Sequence, residues 1–431
     1  MKVSSNCRWA VKKVLLFFAV PGLISIFLFF GGAVYALDKE SKYLPVQTEL
    51  KNNWPAFRGE DGSGFAPAAV MPAPWDYKTG TGILWKTIIP LEGASSPVVW
   101  GNNVFITGAN PEESRVFCYD AKTGALRWSA VVSLPGTRPL SANIDGDTTL
   151  AAPTPATDGR FVFAVFPTGE VAAFDFSGKQ IWAKNIGSLK NSFGFAASLT
   201  LYKNSLILQL DLGSPEEEKS KMLALDKLTG KEIWKTPRPN GDGWASPVIT
   251  VYNKQLQIIT CGNPFVLGYN PEDGRELWRI KALEGNIASS PIVADNKIIA
   301  IATSIVALDP AAKEPAWQFE DGVPDVTSPV SDGEYIYILG TGGELNCVEA
   351  KTGKKIWMQE LEGVFNSSPV IVGKTLLLMS EKGVAYLAST GAEYKELGRG
   401  EIDDECVASP APAGGCLYIR GKSNLYCIGK K

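Results

Sequence analysis

Residues Ala224 to Trp234 read ALDKLTGKEIW: a small residue, an aspartate two places on, a Thr-Gly turn, and a tryptophan that closes an eleven-residue frame. A hydrophobic run that passes through Asp-x-x-Thr-Gly into a second alternating run describes a strand, a tight turn and a returning strand. Glycine at the seventh place supplies the positive φ that such a turn needs. The frame recurs as Cys118 to Trp128, Ala172 to Trp182, Gly268 to Trp278, Ala307 to Trp317 and Cys347 to Trp357. With Trp85, the tryptophans Trp128, Trp182, Trp234, Trp278, Trp317 and Trp357 are candidate docking residues that join one repeat to the next.

A second ladder runs between the frames. Pro97, Pro155, Pro247, Pro291, Pro329, Pro369 and Pro410, mostly preceded by Ser, each open a hydrophobic strand. Proline is tolerated at the first residue of a strand, where no ladder donor is missed. The stretch at Leu199 fills an eighth slot without its proline. Eight slots spaced by about forty residues predict an all-β, eight-bladed β-propeller built from blades of four short strands.

The last repeat reaches Cys427, a frame-opening residue, and lacks an outer strand, whereas Trp85 ends a strand with no frame before it. The two are read as halves of one split blade, so the amino-terminal strand completes the last blade and no sheet edge stays open at the seam. One frame departs from the pattern. Counted from Ala385, it places Lys395 where Trp is expected, with Leu397 as a substitute, which predicts weaker docking for that blade.

Three segments follow. Residues 1–36 carry Lys2, Arg8, Lys12 and Lys13 before an apolar run from Val14 to about Leu37, and read as a signal peptide or an amino-terminal membrane anchor. The basic flank in front and Asp38, Lys39 and Glu40 behind place the body outside the cytoplasm, in the periplasm or cell envelope, with membrane contact only through this segment. No Cys lies near the end of the run, which speaks against a lipid anchor. Residues 37–82 form a Pro/Gly-rich extension, and residues 83–431 the propeller, expected to be monomeric.

Composition removes several chemistries. The chain has no histidine, which excludes Ser-His-Asp and Cys-His catalysis, the common zinc sites and His-ligated haem. Without residues 1–36 there are 38 basic and 45 acidic side chains, a net charge of −7 that argues against nucleic acid as a partner. Cys118, Cys347 and Cys427 stand where other frames place Ala or Gly, and read as small buried packing residues. An oxidising compartment would allow Cys406 to pair with Cys416, although spacing does not decide it. The GEDGSG run at Gly59 to Gly64 lacks the later ligands of a calcium or phosphate loop.

The frame with its Ser-Pro strand openings resembles the tryptophan-docking repeat of the pyrroloquinoline-quinone (PQQ) repeat superfamily, shared by quinoprotein alcohol dehydrogenases and the non-catalytic BamB-like branch. The resemblance covers roughly residues 83 to 431 and implies the fold. The Trp54-Pro55-Ala56-Phe57-Arg58-Gly59 segment also resembles the lead-in of exported propellers of this type. Two functions are implied. One is a non-catalytic extracytoplasmic scaffold binding protein or another envelope component, with no cofactor. The alternative is a dehydrogenase using PQQ with calcium to oxidise alcohols or sugars. Those enzymes carry an adjacent Cys-Cys pair, and no two cysteines are adjacent here.

Loop lengths select a binding face. Trp128 to Pro155 takes 27 residues where most such intervals take 12 or 13, and GSPEEEKSK at Gly213 to Lys221 is a second insertion. In an up-and-down blade these two kinds of connection emerge on one side, opposite the Thr-Gly turns. Residues preceding the Ser-Pro slots share that side. The candidate face is therefore Arg138, Asn143, Asp145, Asp147, Asp242, Trp244, Asn286, Asp325, Asn366 and Asp404. Such a ring of acids could hold a cation or attract a basic peptide, or be solvated loop charge; Trp244 could anchor a ligand or plug the channel. No metal ligand set is recognised.

Overall fold

The computed structural model describes residues 52–134, 149–312 and 314–430. The leader and the segment holding Arg138, Asn143, Asp145 and Asp147 lie outside the described residues.

Eight sheets, each with four antiparallel strands and one extended by a fifth, parallel strand, follow one another along the chain. The first blade is typical, with strands Val98–Trp100, Asn103–Ala109, Ser114–Asp120 and Leu126–Val131. Middle strands are buried on both sides because adjacent blades sandwich them: Ser205–Leu210 is buried throughout, while the outer strand Glu232–Pro237 alternates toward solvent. The first strands of successive blades neighbour one another and line the axis. The ring closes as a split blade: Ile83–Ile88 pairs antiparallel with Asn424–Ile428, and Trp85 stands opposite Cys427.

The tryptophan contacts explain the spacing. Trp85, Trp128, Trp182, Trp317 and Trp357 donate their indole N–H to a carbonyl at the turn of the next blade, at 2.7–3.0 Å. The rings of Trp85, Trp128, Trp182, Trp234 and Trp317 lie against that blade's turn glycine so closely that a Cβ there would come within 2.8 Å of them. Trp278 differs. Its neighbour's turn, at 309–316, contains no glycine, and the indole covers Gly268 of its own blade and donates to Gln257 Oε1 at 2.7 Å.

Two frames are offset from the counted positions. In the second blade the residue opposite Trp182 is Ala173, not Ala172, because the turn from Asp175 to Gly178 is one residue shorter than its counterparts. In the seventh, the turn is one residue longer, and the docking slot pairs Leu387 with Gly398 rather than starting at Ala385. Leu397 points to solvent. The slot is filled from outside the frame: Pro74 lies over Gly398, and the buried Trp75 covers Gly400 and joins the core between the seventh and eighth blades. The reading of a weakly docked blade is corrected accordingly, since the filling side chain comes from more than three hundred residues upstream.

The Ser-Pro ladder has a second role. The backbone N–H of the ring residue in each blade donates to the hydroxyl of the next: Ser96 to Thr154, then Ser198, Ser246, Ser290, Ser328, Ser368, Ser409 and back to Ser96, every link 2.9–3.0 Å. The third blade, which lost its proline at Leu199, keeps Ser198. Hydroxyl acceptors are what the closed belt requires, since buried backbone N–H groups need such partners.

Residues 52–66 close one mouth of the axis. Trp54 forms a bridge with Val99 of the first blade, and Thr157 of the second donates to Pro55 O at 2.8 Å. The Arg58 guanidinium then reaches the carbonyl of Pro329 on the sixth blade, diametrically opposite the second. Phe65–Ala66 adds a parallel strand to Val370–Val372 of the seventh. Asn52, Asn53 and Ala66 bond Gly414, Gly101 and Gly373, which sit in hairpins on the side of the Thr-Gly turns. Arg58 is buried with Nε and Nη1 unpartnered among the described residues, and burial draws its pKa down to about 9.

All six described cysteines are free thiols. Cys406 Sγ lies 3.3 Å from Arg420 O, at the far end of the strand that Cys416 begins, so these two thiols are about 13 Å of strand apart. Cys416 neighbours Cys427 instead.

Candidate functional site

Connections from the outer strand of one blade to the inner strand of the next, and from second to third strands, emerge on the loop face; hairpins and Thr-Gly turns emerge on the turn face. Residues 52–66 occupy the axial mouth of the turn face, and among the described residues no such segment crosses the loop face.

Its charge is lopsided. Among the described residues, the connections of the loop face carry seventeen acidic and five basic side chains, and those of the turn face nine acidic and twelve basic. A single-signed surface of this kind raises the local concentration of cationic partners.

The named acids occupy different settings. Asp242 ties three connections together: its carboxylate accepts from Ser192 N at 2.9 Å, from the Ser192 hydroxyl and from Gly213 N, and its own N–H donates to Gly213 O at 2.7 Å. Asp404 Oδ2 caps the 421–423 loop, accepting from Ser423 N, Asn424 N and Asn424 Nδ2 at 2.8–3.0 Å. Asn366 donates to Glu381 Oε1. Asn286 and Asp325 are exposed. These side chains are distributed around the mouth over several blades, and no three His, Cys, Asp or Glu side chains gather for a metal among the described residues.

Trp244 is 8% exposed; its indole donates to Gly194 O at 2.9 Å and its ring lies 5.3 Å from Phe193, which is the solvent-facing aromatic of the pair. Trp244 therefore supports the loop that carries Phe193.

Beneath this loop cluster lies a polar group that no sequence pattern indicated. Arg238 Nε and Nη2 grip both oxygens of Asp211 at 2.6 and 3.0 Å, while Nη1 donates to Thr260 Oγ1 at 2.6 Å and Tyr269 Oη at 3.2 Å. Burial works against the charge on Arg238, but Asp211 and Tyr269 outweigh it and hold its pKa above the ordinary value. The pair locks the third blade to the fourth directly under the 211–220 insertion. Two features could have signalled it: an Asp ending an otherwise apolar strand, and an Arg interrupting the Pro-rich connection at 237–239.

The arrangement is that of a rigid, acidic surface whose carboxylates fix loops and face solvent, able to recognise by shape and charge.

Comparison with known proteins agrees with this architecture. The profile of the family described as outer membrane protein assembly factor BamB, a PQQ-repeat family, matches residues 73–209 and 218–431. An outer membrane protein assembly factor BamB from Kangiella koreensis is 25% identical over 222 residues, half of this chain and half of that one. The chain thus spans about half the length of the curated relatives it matches. Among solved structures, BamB from Moraxella catarrhalis superposes with a TM-score of 0.59 at 14% identity, covering 81% of this chain and 97% of that one. A europium-containing methanol dehydrogenase gives 0.66 at 11%, covering 88% and 98%; at such identities the likeness is one of fold. Two matched segments that together span most of the propeller make the chain a member of the outer membrane protein assembly factor BamB family of PQQ-repeat propellers.

Proposed function

We propose that the protein is a non-catalytic scaffold of the cell envelope that holds a protein partner on its loop face. The observation that carries this reading is the unequal treatment of the two axial mouths: the protein's own residues 52–66 occupy one, and the acidic loops surround the other. Family membership supports it, since the relatives are described as outer membrane protein assembly factors. The basic flank and apolar run of residues 1–36 support placement outside the cytoplasm, as a cleaved signal or an anchor. A ring completed within one chain suits a monomer. The competing reading, a PQQ-dependent dehydrogenase, draws on likeness of fold alone.

The test is site-specific photo-cross-linking in intact cells of the native host, with a benzophenone side chain replacing exposed Asn286 on the loop face or exposed Lys122 on the turn face. A discrete protein adduct from position 286 and none from 122 is the expected result. No adduct from either position, or equal adducts from both, overturns the assignment. Stoichiometric binding of PQQ with calcium by the full chain, accompanied by dye-linked alcohol oxidation, replaces it with the dehydrogenase.

A further inference from the structure

Three consecutive outer-to-inner connections, leading into the sixth, seventh and eighth blades, each present one large aliphatic side chain to solvent: Val326 at 39%, Val364 at 45% and Val407 at 45% exposure. Val326 and Val407 stand two residues before the belt residues Ser328 and Ser409, and Val364 four before Ser368, so all three lie beside the axial mouth. Single exposed apolar side chains are ordinary, but three on consecutive connections of one mouth mark a candidate contact surface.

The connections that carry them are bound to one another. Thr341 accepts from Asp325 N at 3.1 Å through its hydroxyl and from Phe365 N at 3.0 Å through its carbonyl, joining the first connection to the second. Glu381 joins the second to the third: its N–H donates to Val364 O and its carbonyl accepts from Cys406 N, both at 2.8 Å. The arc is therefore set before any partner arrives, and little ordering entropy remains to be lost on binding. Acids flank each valine: exposed Asp325 stands beside Val326 and exposed Glu362 near Val364, while before Val407 Asp403 is paired with Lys86, Glu405 with Lys422, and Asp404 caps the 421–423 loop. They are spread along the arc rather than gathered at a point, which suits a chain of cations and not a single metal ion.

We infer that this arc is the docking surface for an extended, basic polypeptide segment in which aliphatic residues alternate with Lys or Arg. Alternation puts one side of an extended strand on the valines and the other toward the carboxylates and solvent. The inference rests on the scaffold reading and names the chemistry of the partner that the loop face receives.

The test uses the full chain in mild detergent and fluorescein-labelled hexapeptides read by anisotropy. A peptide alternating Lys and Leu binds saturably, and raising salt from 50 to 300 mM weakens it at least tenfold. Replacing all three residues, Val326→Ser, Val364→Ser and Val407→Ser, weakens it by a further tenfold or more. Leu397→Ser, an exposed aliphatic on the outer strand of the seventh blade, leaves it unchanged, and tryptophan emission checks that each variant is folded. Equal binding of a Lys-Ser or a Glu-Leu peptide, or an unaltered triple variant, overturns the inference. Cross-linked adducts from position 286 with no peptide binding sink this arc alone; absence of both sinks the loop-face reading as well.

Discussion

The backbone N–H of Ser409 donates to Ser96 Oγ at 3.0 Å, and with that link a belt of eight hydrogen bonds around the axis becomes continuous. Removing the Ser96 hydroxyl leaves a buried N–H with no acceptor, which costs about 1–3 kcal/mol. Ser96→Ala is expected to lower stability by that amount in urea unfolding, and Ser96→Thr to retain most of it. A loss under about 0.5 kcal/mol, the range of an ordinary surface change, would mean the belt is geometric only.

Gly230 sits at φ 67° with the Trp182 ring where a side chain would go; a Cβ would come within 2.6 Å of Cε3. Gly230→Val adds backbone strain to an overpacked contact and is expected to destabilise by roughly 2 kcal/mol or more. Lys231→Ala next to it, being exposed, should stay within about 0.5 kcal/mol. Thermal unfolding followed by tryptophan fluorescence separates the two.

Trp75 is 2% exposed between the seventh and eighth blades. Truncation to Ala opens a cavity worth roughly 3–5 kcal/mol, and limited proteolysis of Trp75→Ala should release fragments of the seventh and eighth blades first. Leu397→Ala on the same blade should change neither rate.

Asp211 and Arg238 are 1% and 0% exposed. Asp211→Asn leaves a buried guanidinium without its counter-charge and should cost about 3–5 kcal/mol; the double replacement Asp211→Leu with Arg238→Met should recover most of the loss. A double-mutant cycle in denaturant measures the difference.

The Cys416 thiol is held down to about 7, chiefly by its hydrogen bond with Cys427, while that same pairing, and then burial, push Cys427 up. Burial above all, with a neighbouring carboxylate in each case, raises Cys118, Cys347 and Cys406 to about 12. Iodoacetamide at neutral pH should therefore modify Cys416 first among the described thiols, with an inflection near pH 7, as peptide mapping would reveal. Cys427→Ala removes the partner and should move the inflection upward.

Much of this fold was legible because tryptophan docking imposes a local spacing, repeated often enough to be counted and to expose its own split between Trp85 and Cys427. Two frames were displaced where a turn gained or lost one residue, at Gly178 and after Gly391, since counting cannot distinguish a shifted frame from a shifted turn. Trp75 escaped notice for a different reason: it serves a blade to which it is not adjacent in sequence. The serines before the prolines were visible only as strand openers, because their hydroxyls act between blades. On the loop face, topology placed the acids on one side, but whether Asp242 and Asp404 reach solvent or cap a loop depends on neighbours brought in by folding. The Asp211–Arg238 pair, formed across 27 positions with no motif around it, left no periodic trace.

The pairing of Ile83–Ile88 with Asn424–Ile428 sets the order of events during folding. The four antiparallel strands of each other blade come from one continuous stretch of chain, but the eighth combines Ile83–Ile88 with strands more than three hundred residues downstream. Until these join, the first and seventh blades each present an uncovered flank. Such distant pairing is slow to form, so until Asn424–Ile428 meets Ile83–Ile88 the ring stays open with two adhesive flanks.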